Sequence, residues 1–147
     1  YVVEKVQNAL NQHRKAVNGS HILVLGVAYK RDIDDLRESP SLDIIRVLED
    51  KGATVDYHDP YVPEIREDGH SRAHKGVALT EQLLRSVDCV VIATDHKNVD
   101  YGLVVRHSKL VVDTRNATRG IAGGTIIGLS GQRPVASLER EVTLASA

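Results

Sequence analysis

Apolar residues recur at helical spacing in two long stretches of the chain. The first runs from Val2 to about Val17, where Asn18-Gly19 supplies residue types that tolerate left-handed backbone and predicts the helix end. The second begins at Ser39-Pro40 and ends at Gly52. Ser39 is expected to cap this helix, and a proline in the first turn loses no hydrogen bond.

Five shorter apolar runs predict β-strands. The run at 21–26 is continuous rather than alternating, as expected for a strand buried on both faces of a parallel sheet. The run at 54–58 alternates and is expected near an edge. The other strands are predicted at 89–93, 110–113 and 125–129, with short helices at 80–86, capped by Thr80, and at 100–108. The charged segment 63–75 has no clear period and predicts an exposed loop.

Strands and helices alternate along the sequence. This order predicts an α/β fold, with a doubly wound, Rossmann-like, mainly parallel sheet in a three-layer αβα sandwich. Right-handed crossovers bring the loops after parallel strands to one edge, where ligands bind in such folds. The candidate loops therefore follow Leu25, His58, Ala93 and Asp113. The tail, 132–147, has little apolar pattern and is expected to be partly disordered.

The loop after the first strand has the richest set of candidates. Gly26 allows the backbone to turn close to a ligand, and Tyr29 offers a ring for a base. Lys30 and Arg31, with Arg37 further on, offer cations for phosphate. Only one glycine of the dinucleotide-binding pattern is present. The alternative is a solvated loop whose acidic side chains pair with its basic ones, namely Asp32, Asp34 and Asp35 with Lys30, Arg31 and Arg37.

A second candidate loop, Asp113-Thr-Arg-Asn116, is expected at the same edge. Arg115 offers a planar contact to phosphate or ribose, and Asn116 a hydrogen bond to a base or to backbone. The alternative is a simple turn in which Asn116 is left-handed and Arg115 faces solvent. Because two loops with arginine reach one edge, an anionic ligand is favoured.

Composition excludes several classes of function. The net charge of -1 argues against a nucleic-acid partner, and no apolar run approaches the roughly 20 residues that span a bilayer. The single Cys89 opens a predicted buried strand and is expected to be a packed thiol, which suits a reducing cytoplasm. The seven histidines lack zinc-ligand spacing, so no metal site is predicted, and no complete catalytic set is found.

The sequence contains no Met and opens inside a helical pattern. We therefore expect it to be the end of a longer protein. Removal of an expression tag together with the initiator Met is the alternative.

Four segments resemble the UDP-glucose/GDP-mannose dehydrogenase family, and the similarity covers about residues 1–120. They are Val24-Leu-Gly-Val-Ala-Tyr-Lys30, Asp34-Asp-Leu-Arg-Glu-Ser-Pro-Ser-Leu-Asp-Ile-Ile45, Gly52-Ala-Thr-Val-Asp-Tyr-His-Asp-Pro60 and Asp113-Thr-Arg-Asn116. The forms Val-Ala-Tyr-Lys and Tyr57-His-Asp-Pro-Tyr-Val-Pro63 look most like members that oxidise UDP-N-acetylhexosamines, with UDP-glucose as the second choice.

The resemblance implies a domain organisation and a reaction. Residues 1–17 would end the family's central helix, 18–131 would form its C-terminal UDP-sugar-binding domain, and 132–147 would be a tail. Family members form dimers and oxidise a sugar C6 alcohol to a carboxylate in two NAD-dependent steps, with NAD bound mainly by an N-terminal domain. Their nucleophilic cysteine lies upstream of this segment and Cys89 does not match it, so the isolated chain is expected to be inactive.

The resemblance also assigns site residues. Tyr29 and Lys30 match the pair that holds UDP, and Arg115 matches an arginine that contacts the same ligand. Arg37 matches an arginine on the NAD side of the cleft. The family commonly has Pro and Thr at the positions of Arg31 and Ile33, so this loop departs from the pattern.

Two readings of other classes stay open on the residues alone. A flavodoxin-like signalling or interaction module would use Asp32, Asp34 and Asp35 as an acidic site. An NAD-binding domain proper is disfavoured by the incomplete glycine pattern. Binding of UDP rather than magnesium would distinguish the resemblance from the signalling module.

Overall fold

The computed structural model describes residues 1–28, 39–67 and 72–128, together with the backbone of 131–132. Its helices are α1 (Val2–Gln12), α2 (Pro40–Asp50), α3 (Glu81–Ser86) and α4 (Tyr101–His107). Its strands are β1 (His21–Leu25), β2 (Thr54–His58), β3 (Glu64–Ile65), β4 (His74–Lys75), β5 (Cys89–Ile92), β6 (Val111–Asp113), β7 (Ile126–Gly128) and β8 (Gly131–Gln132). None of the described helices is long and apolar enough to cross a membrane.

The main sheet has the strand order β2-β1-β5-β6-β7-β8. In this sheet β2, β1, β5, β6 and β7 pair in parallel, and β8 pairs antiparallel to β7. The predicted doubly wound, mainly parallel sheet is therefore confirmed. β2 lies at an edge and alternates between exposed and buried residues, as its sequence predicted.

Helices cover both faces of this sheet. Ile22 and Val24 pack in one apolar cluster with residues of α1 and α2, whereas Leu23 and Leu25 pack in a second cluster with residues of α3 and α4. This division confirms the three-layer αβα architecture. It also explains the continuous apolar run of β1, since both faces of the strand lose contact with water. Each such side chain contributes about 1.5–3 kcal/mol when fully buried.

The first helix ends at Gln12, before the predicted end near Val17. Arg14 adopts left-handed backbone with φ 59°, the N–H of Lys15 donates to the carbonyl of Leu10, and that of Arg14 donates to the carbonyl of Asn11. This is the pattern of a Schellman motif, which usually has glycine or asparagine at the left-handed position. Because an arginine occupies that position, the sequence contains no signal for the end of α1 there.

The start of α2 also differs in detail from its prediction. Ser39 precedes the helix and Pro40 opens it, as expected, but the Ser39 side chain accepts no capping hydrogen bond. Its hydroxyl instead donates to the carbonyl of Val27, at 2.6 Å. Thr80 caps α3, as predicted, and Asp100 caps α4.

The segment 63–75 was predicted to be an exposed loop, and its described part shows more structure. β3 and β4 pair antiparallel, and Ile65 is buried. The nearby Tyr57 hydroxyl donates to the carbonyl of Val62 at 2.9 Å. Burial, together with the carboxylates of Asp59 and Glu64, raises the pKa of Tyr57 to about 12. The predicted tail beyond 132 lies outside the described residues.

Candidate functional site

The polar loops that follow the parallel strands meet at one edge of the sheet. β1 lies between β2 and β5, so the connections leaving β1 and those leaving β5 diverge at this point of the strand order. In open α/β sheets the crevice outside such a point is where ligands bind. Its described residues are 26–28 after β1, 59–61 after β2, 94–96 after β5, and 113–116 at the end of β6 and directly after it.

Gly26 lets two of these loops pack against each other. Its φ is +83°, and a Cβ added to it would lie 2.5 Å from both Cβ and the carbonyl oxygen of Thr94. The Thr94 hydroxyl in turn donates to the carbonyl of Ala28 at 2.7 Å. The sequence predicted a glycine for close approach of a ligand, but in the structure the close neighbour is Thr94.

Asp59 accepts hydrogen bonds from three loops at this edge. Its Oδ2 accepts from the backbone N–H groups of Val27, at 2.8 Å, and Ala28, at 3.0 Å. Its Oδ1 accepts from the N–H of Tyr61 at 2.8 Å. The carboxylate therefore fixes the backbone that leaves β1 although it belongs to the loop that leaves β2.

His96 completes this arrangement from the β5 side. Its Nε2 lies 2.9 Å from Oδ2 of Asp59, and both side chains are fully buried. The ring centroids of His96 and Tyr61 are 4.8 Å apart, and the Tyr101 hydroxyl donates to the His96 carbonyl. Sequence reasoning missed this pair because it considered histidines only as metal ligands. The available signal was that Asp59 and His96 each follow a strand that neighbours β1.

The loop after β6 is organised by Asp113. This buried carboxylate accepts hydrogen bonds from the N–H groups of Arg115, Ala117 and Thr118 and from the Thr118 hydroxyl. Asn116 has left-handed backbone with φ 59°. The turn foreseen as one alternative is therefore present, and its carboxylate anchor was not predicted.

Arg115 lies at the carboxyl edge and reaches back toward β5. Its Nε is 3.7 Å from Oδ1 of Asp95, and 48% of its side chain is exposed. An arginine that is partly exposed, with its backbone fixed by Asp113, is suited to contact an anion at this edge. Asn116 is exposed beside it.

The other predicted site residues lie outside the described part of the chain. These are Tyr29, Lys30 and Arg37, together with the acidic residues of the rival site, Asp32, Asp34 and Asp35. The predicted convergence of Lys30 with Arg115 therefore stays a prediction.

Cys89 is a packed thiol, as predicted. It is fully buried in β5, and burial raises the pKa of its thiol to about 12, so it is no nucleophile at neutral pH. His74 pairs with Glu49 at 3.2 Å. Across the described residues no group of three or more His, Cys, Asp or Glu side chains is arranged to hold a metal ion.

The loop after β1 does not fit the diphosphate of NAD. Dinucleotide sites place further glycines after the first so that the backbone approaches the phosphates at the start of the next helix. Here Gly26 is packed on Thr94, and Ala28 holds the position two residues later. The described start of this loop thus lacks the glycine pattern of a dinucleotide site.

Fold and site together define a Rossmann-like, three-layer α/β domain with its candidate ligand site at the carboxyl edge of the sheet. The family model for the UDP binding domain of the UDP-glucose/GDP-mannose dehydrogenase family matches residues 23–120. The chain therefore belongs to the UDP-glucose/GDP-mannose dehydrogenase family, and the recognition made from its sequence motifs is confirmed.

Individual relatives agree with this placement. A UDP-N-acetyl-D-mannosamine dehydrogenase from Pyrococcus horikoshii is 35% identical over 101 residues, which cover 65% of this chain and 21% of the relative. A UDP-glucose 6-dehydrogenase from Rickettsia prowazekii is 32% identical over 125 residues, covering 78% of this chain and 27% of the relative. The chain thus spans about a quarter of the length of these proteins.

Solved structures show the same fold. The UDP-D-ManNAc dehydrogenase of Pyrococcus horikoshii superposes with a TM-score of 0.67 at 25% identity, over 87% of this chain and 29% of that one. A UDP-glucose dehydrogenase from Pyrobaculum islandicum superposes with a TM-score of 0.58 at 30% identity, over 84% of this chain and 29% of that one.

Proposed function

We propose that this chain binds the UDP moiety of a UDP-sugar at the carboxyl edge of its sheet. The observation that carries the proposal is the match of residues 23–120 to the UDP binding domain, because that range contains every loop of the candidate site. The strand order supports it independently, since it puts the crevice of the fold between the loops after β1 and β5.

Within this site we assign the phosphate and base contacts to four residues. Arg115 supplies a planar, partly exposed cation, and the neighbouring Asn116 supplies an amide. Tyr29 and Lys30 follow the Val27–Ala28 backbone in the sequence and supply a ring for stacking and a point charge. An arginine or lysine that bonds a phosphate oxygen contributes about 1.5–3 kcal/mol where water is partly excluded.

The whole protein is proposed to be an NAD-dependent UDP-sugar 6-dehydrogenase that oxidises the C6 alcohol to a carboxylate. Its nucleotide cofactor and its nucleophile belong to other domains, because this chain has neither a diphosphate loop nor a reactive thiol among its described residues. Residues 1–17 are assigned to the end of the helix that links the domains, and Arg37 to the side of the cleft that faces NAD. The full protein is proposed to be a cytoplasmic homodimer serving polysaccharide biosynthesis, and this chain alone is expected to be inactive.

A UDP-N-acetylhexosamine is the sugar nucleotide that the relatives favour. Several are named UDP-N-acetyl-D-mannosamine dehydrogenases, from Methanococcus maripaludis, Pyrococcus horikoshii and Campylobacter jejuni. UDP-glucose is the second candidate, because a UDP-glucose 6-dehydrogenase from Rickettsia prowazekii is similarly related.

Isothermal titration of UDP into the 147-residue chain tests the proposal. We expect weak but measurable binding, since an isolated half of a cleft excludes water poorly. Lys30→Ala and Arg115→Ala should each weaken it roughly tenfold to a hundredfold, the equivalent of one charge-assisted bond. Arg119→Ala is the matched control, because Arg119 is an exposed arginine that follows the same turn.

Three results would count against this function. UDP affinity that is unchanged in both Lys30→Ala and Arg115→Ala would contradict the contacts assigned to these residues. Equal affinity for CDP and UDP would show that the site does not recognise the base. A rise in melting temperature with magnesium, but none with UDP, would favour the signalling module instead.

A further inference from the structure

A buried aspartate–histidine pair lies at the carboxyl end of β1. Asp59 follows β2 and His96 follows β5, and β1 lies between these two strands in the sheet. The pair therefore spans the carboxyl end of β1, with 2.9 Å between Asp59 Oδ2 and His96 Nε2 and both side chains fully buried. The UDP contacts assigned above make no use of it.

Asp59, which is hydrogen-bonded to His96, fixes the backbone of the first two residues after Gly26. Asp59 accepts the N–H groups of Val27 and Ala28, while hydroxyl groups bond their carbonyls. The Ser39 hydroxyl donates a hydrogen bond to the carbonyl of Val27 at 2.6 Å, and the Thr94 hydroxyl donates one to the carbonyl of Ala28 at 2.7 Å. Each backbone polar group of these two residues is thus hydrogen-bonded by a side chain, with Asp59 and Thr94 coming from other loops and Ser39 from the far end of the same connection.

Packing alone does not account for such a pair. Removing a carboxylate and an imidazole from water carries a desolvation penalty, and apolar residues of similar volume often stabilise a core equally well. What the pair provides is a defined geometry, because one carboxylate oxygen accepts three N–H groups that come from two loops. Those loops border the crevice, and Tyr29 and Lys30 come next in the sequence.

We infer that Asp59 and His96 are positioning residues for the UDP site: the pair fixes the Val27–Ala28 backbone at the crevice in the conformation that binds the ligand. The inference rests on the proposed function. His96 acts through Asp59, and Asp59 acts through the backbone, so neither residue needs to touch UDP. The pair is the link between β2, β5 and the loop after β1.

The test compares three variants of the 147-residue chain. His96→Leu removes the Nε2–H donor at similar volume, and His96→Gln puts an amide donor close to the same place. Val6→Ala is the stability control, because Val6 is fully buried in α1 and takes no part in these hydrogen bonds. For each we would measure the melting temperature, the UDP dissociation constant, and hydrogen exchange of the Val27 and Ala28 amides by NMR.

We expect His96→Leu to weaken UDP binding by about tenfold or more and to speed exchange of both amides, because small displacements of a binding group are costly. His96→Gln should restore most of the affinity. Val6→Ala should lower the melting temperature and leave the affinity unchanged. If His96→Leu does not fold, the same comparison is made between His96→Gln and His96→Asn, whose shorter side chain does not reach Asp59.

The positioning role is overturned if the histidine variants that lack the donor bind UDP as tightly as the unaltered chain. It is equally overturned if Val6→Ala weakens binding as much, since the effect would then follow stability alone. Absence of UDP binding by the unaltered chain rejects the proposed function, and the positioning role with it. If the unaltered chain binds UDP and His96→Leu binds it with the same affinity, only the positioning role is rejected.

Discussion

Replacing Gly26 with alanine should destabilise the chain more than the same replacement at a glycine whose added Cβ would meet no neighbouring atom. The new Cβ would lie 2.5 Å from the Thr94 Cβ, 2.5 Å from its carbonyl oxygen and 2.8 Å from its amide nitrogen. Two of these atoms are backbone at the end of β5, so no rotation of a side chain removes the overlap. The loop after β1 or the end of β5 must shift instead.

Gly120 is the matched control for this change. Its φ of +79° is close to the +83° of Gly26, but nothing lies within 4 Å of an added Cβ. Left-handed strain alone should cost about 1–2 kcal/mol in Gly120→Ala. Overpacking adds about 1–3 kcal/mol, so Gly26→Ala should cost about 2–5 kcal/mol in total. That is a large share of the roughly 5–15 kcal/mol that stabilises a typical domain.

Urea unfolding followed by far-ultraviolet circular dichroism would measure both changes, because the chain contains no Trp to report by fluorescence. The difference between the two variants isolates the contact with Thr94. If Gly26→Ala and Gly120→Ala agree within about 0.5 kcal/mol, the packing argument is refuted and backbone strain accounts for both. A Gly26→Ala chain that keeps its stability would refute the strain argument as well.

Two further predictions concern titratable groups. Because burial raises the pKa of the Cys89 thiol to about 12, Ellman's reagent should label it very slowly in the folded chain and at once in urea; rapid labelling of folded protein would contradict its burial. Burial alone would raise the pKa of Asp88, but hydrogen bonds from Lys15 and from the His21 N–H, with the positive charges of Lys15 and Lys109, hold it below its usual 3.8. A carboxyl pKa lowered by folding stabilises the protein above the unfolded value and loses that effect as pH falls through the folded value. Unfolding in urea should therefore show Asp88→Asn to be less stable than the unaltered chain at pH 7, with a gap that closes below about pH 3.8; a gap independent of pH would contradict this.

The sequence predicted the sheet well because its strands are buried on both faces. The continuous run from Ile22 to Leu25 can only be satisfied where two helical layers meet one strand, and the structure has this arrangement. β3 and β4 were missed because strands of two residues leave no periodic signal. The end of α1 was misplaced because Arg14, not a glycine, adopts the left-handed backbone.

The candidate site was predicted in part, and for a physical reason. Arg115 and Asn116 follow a strand directly, so the position of that strand places them at the edge. The pairing of Asp59 with His96 depends on β1 lying between β2 and β5, which is a property of the sheet rather than of either local sequence. The role of Ser39 was likewise hidden, because its partner, the carbonyl of Val27, is distant in the chain.

The position of β1 between β2 and β5 also affects how the chain acquires its structure. Its two partners come later in the sequence, with Ile22 aligned to Val55 on one side and to Cys89 on the other. Until residue 92 has left the ribosome, an uncharged Ile-Leu-Val-Leu segment has no complete burial and is available to neighbouring chains. Non-local parallel pairing of this kind slows folding and lengthens that exposure. Refolding yield should therefore fall as protein concentration rises, and chaperones that shield short aliphatic segments should improve it.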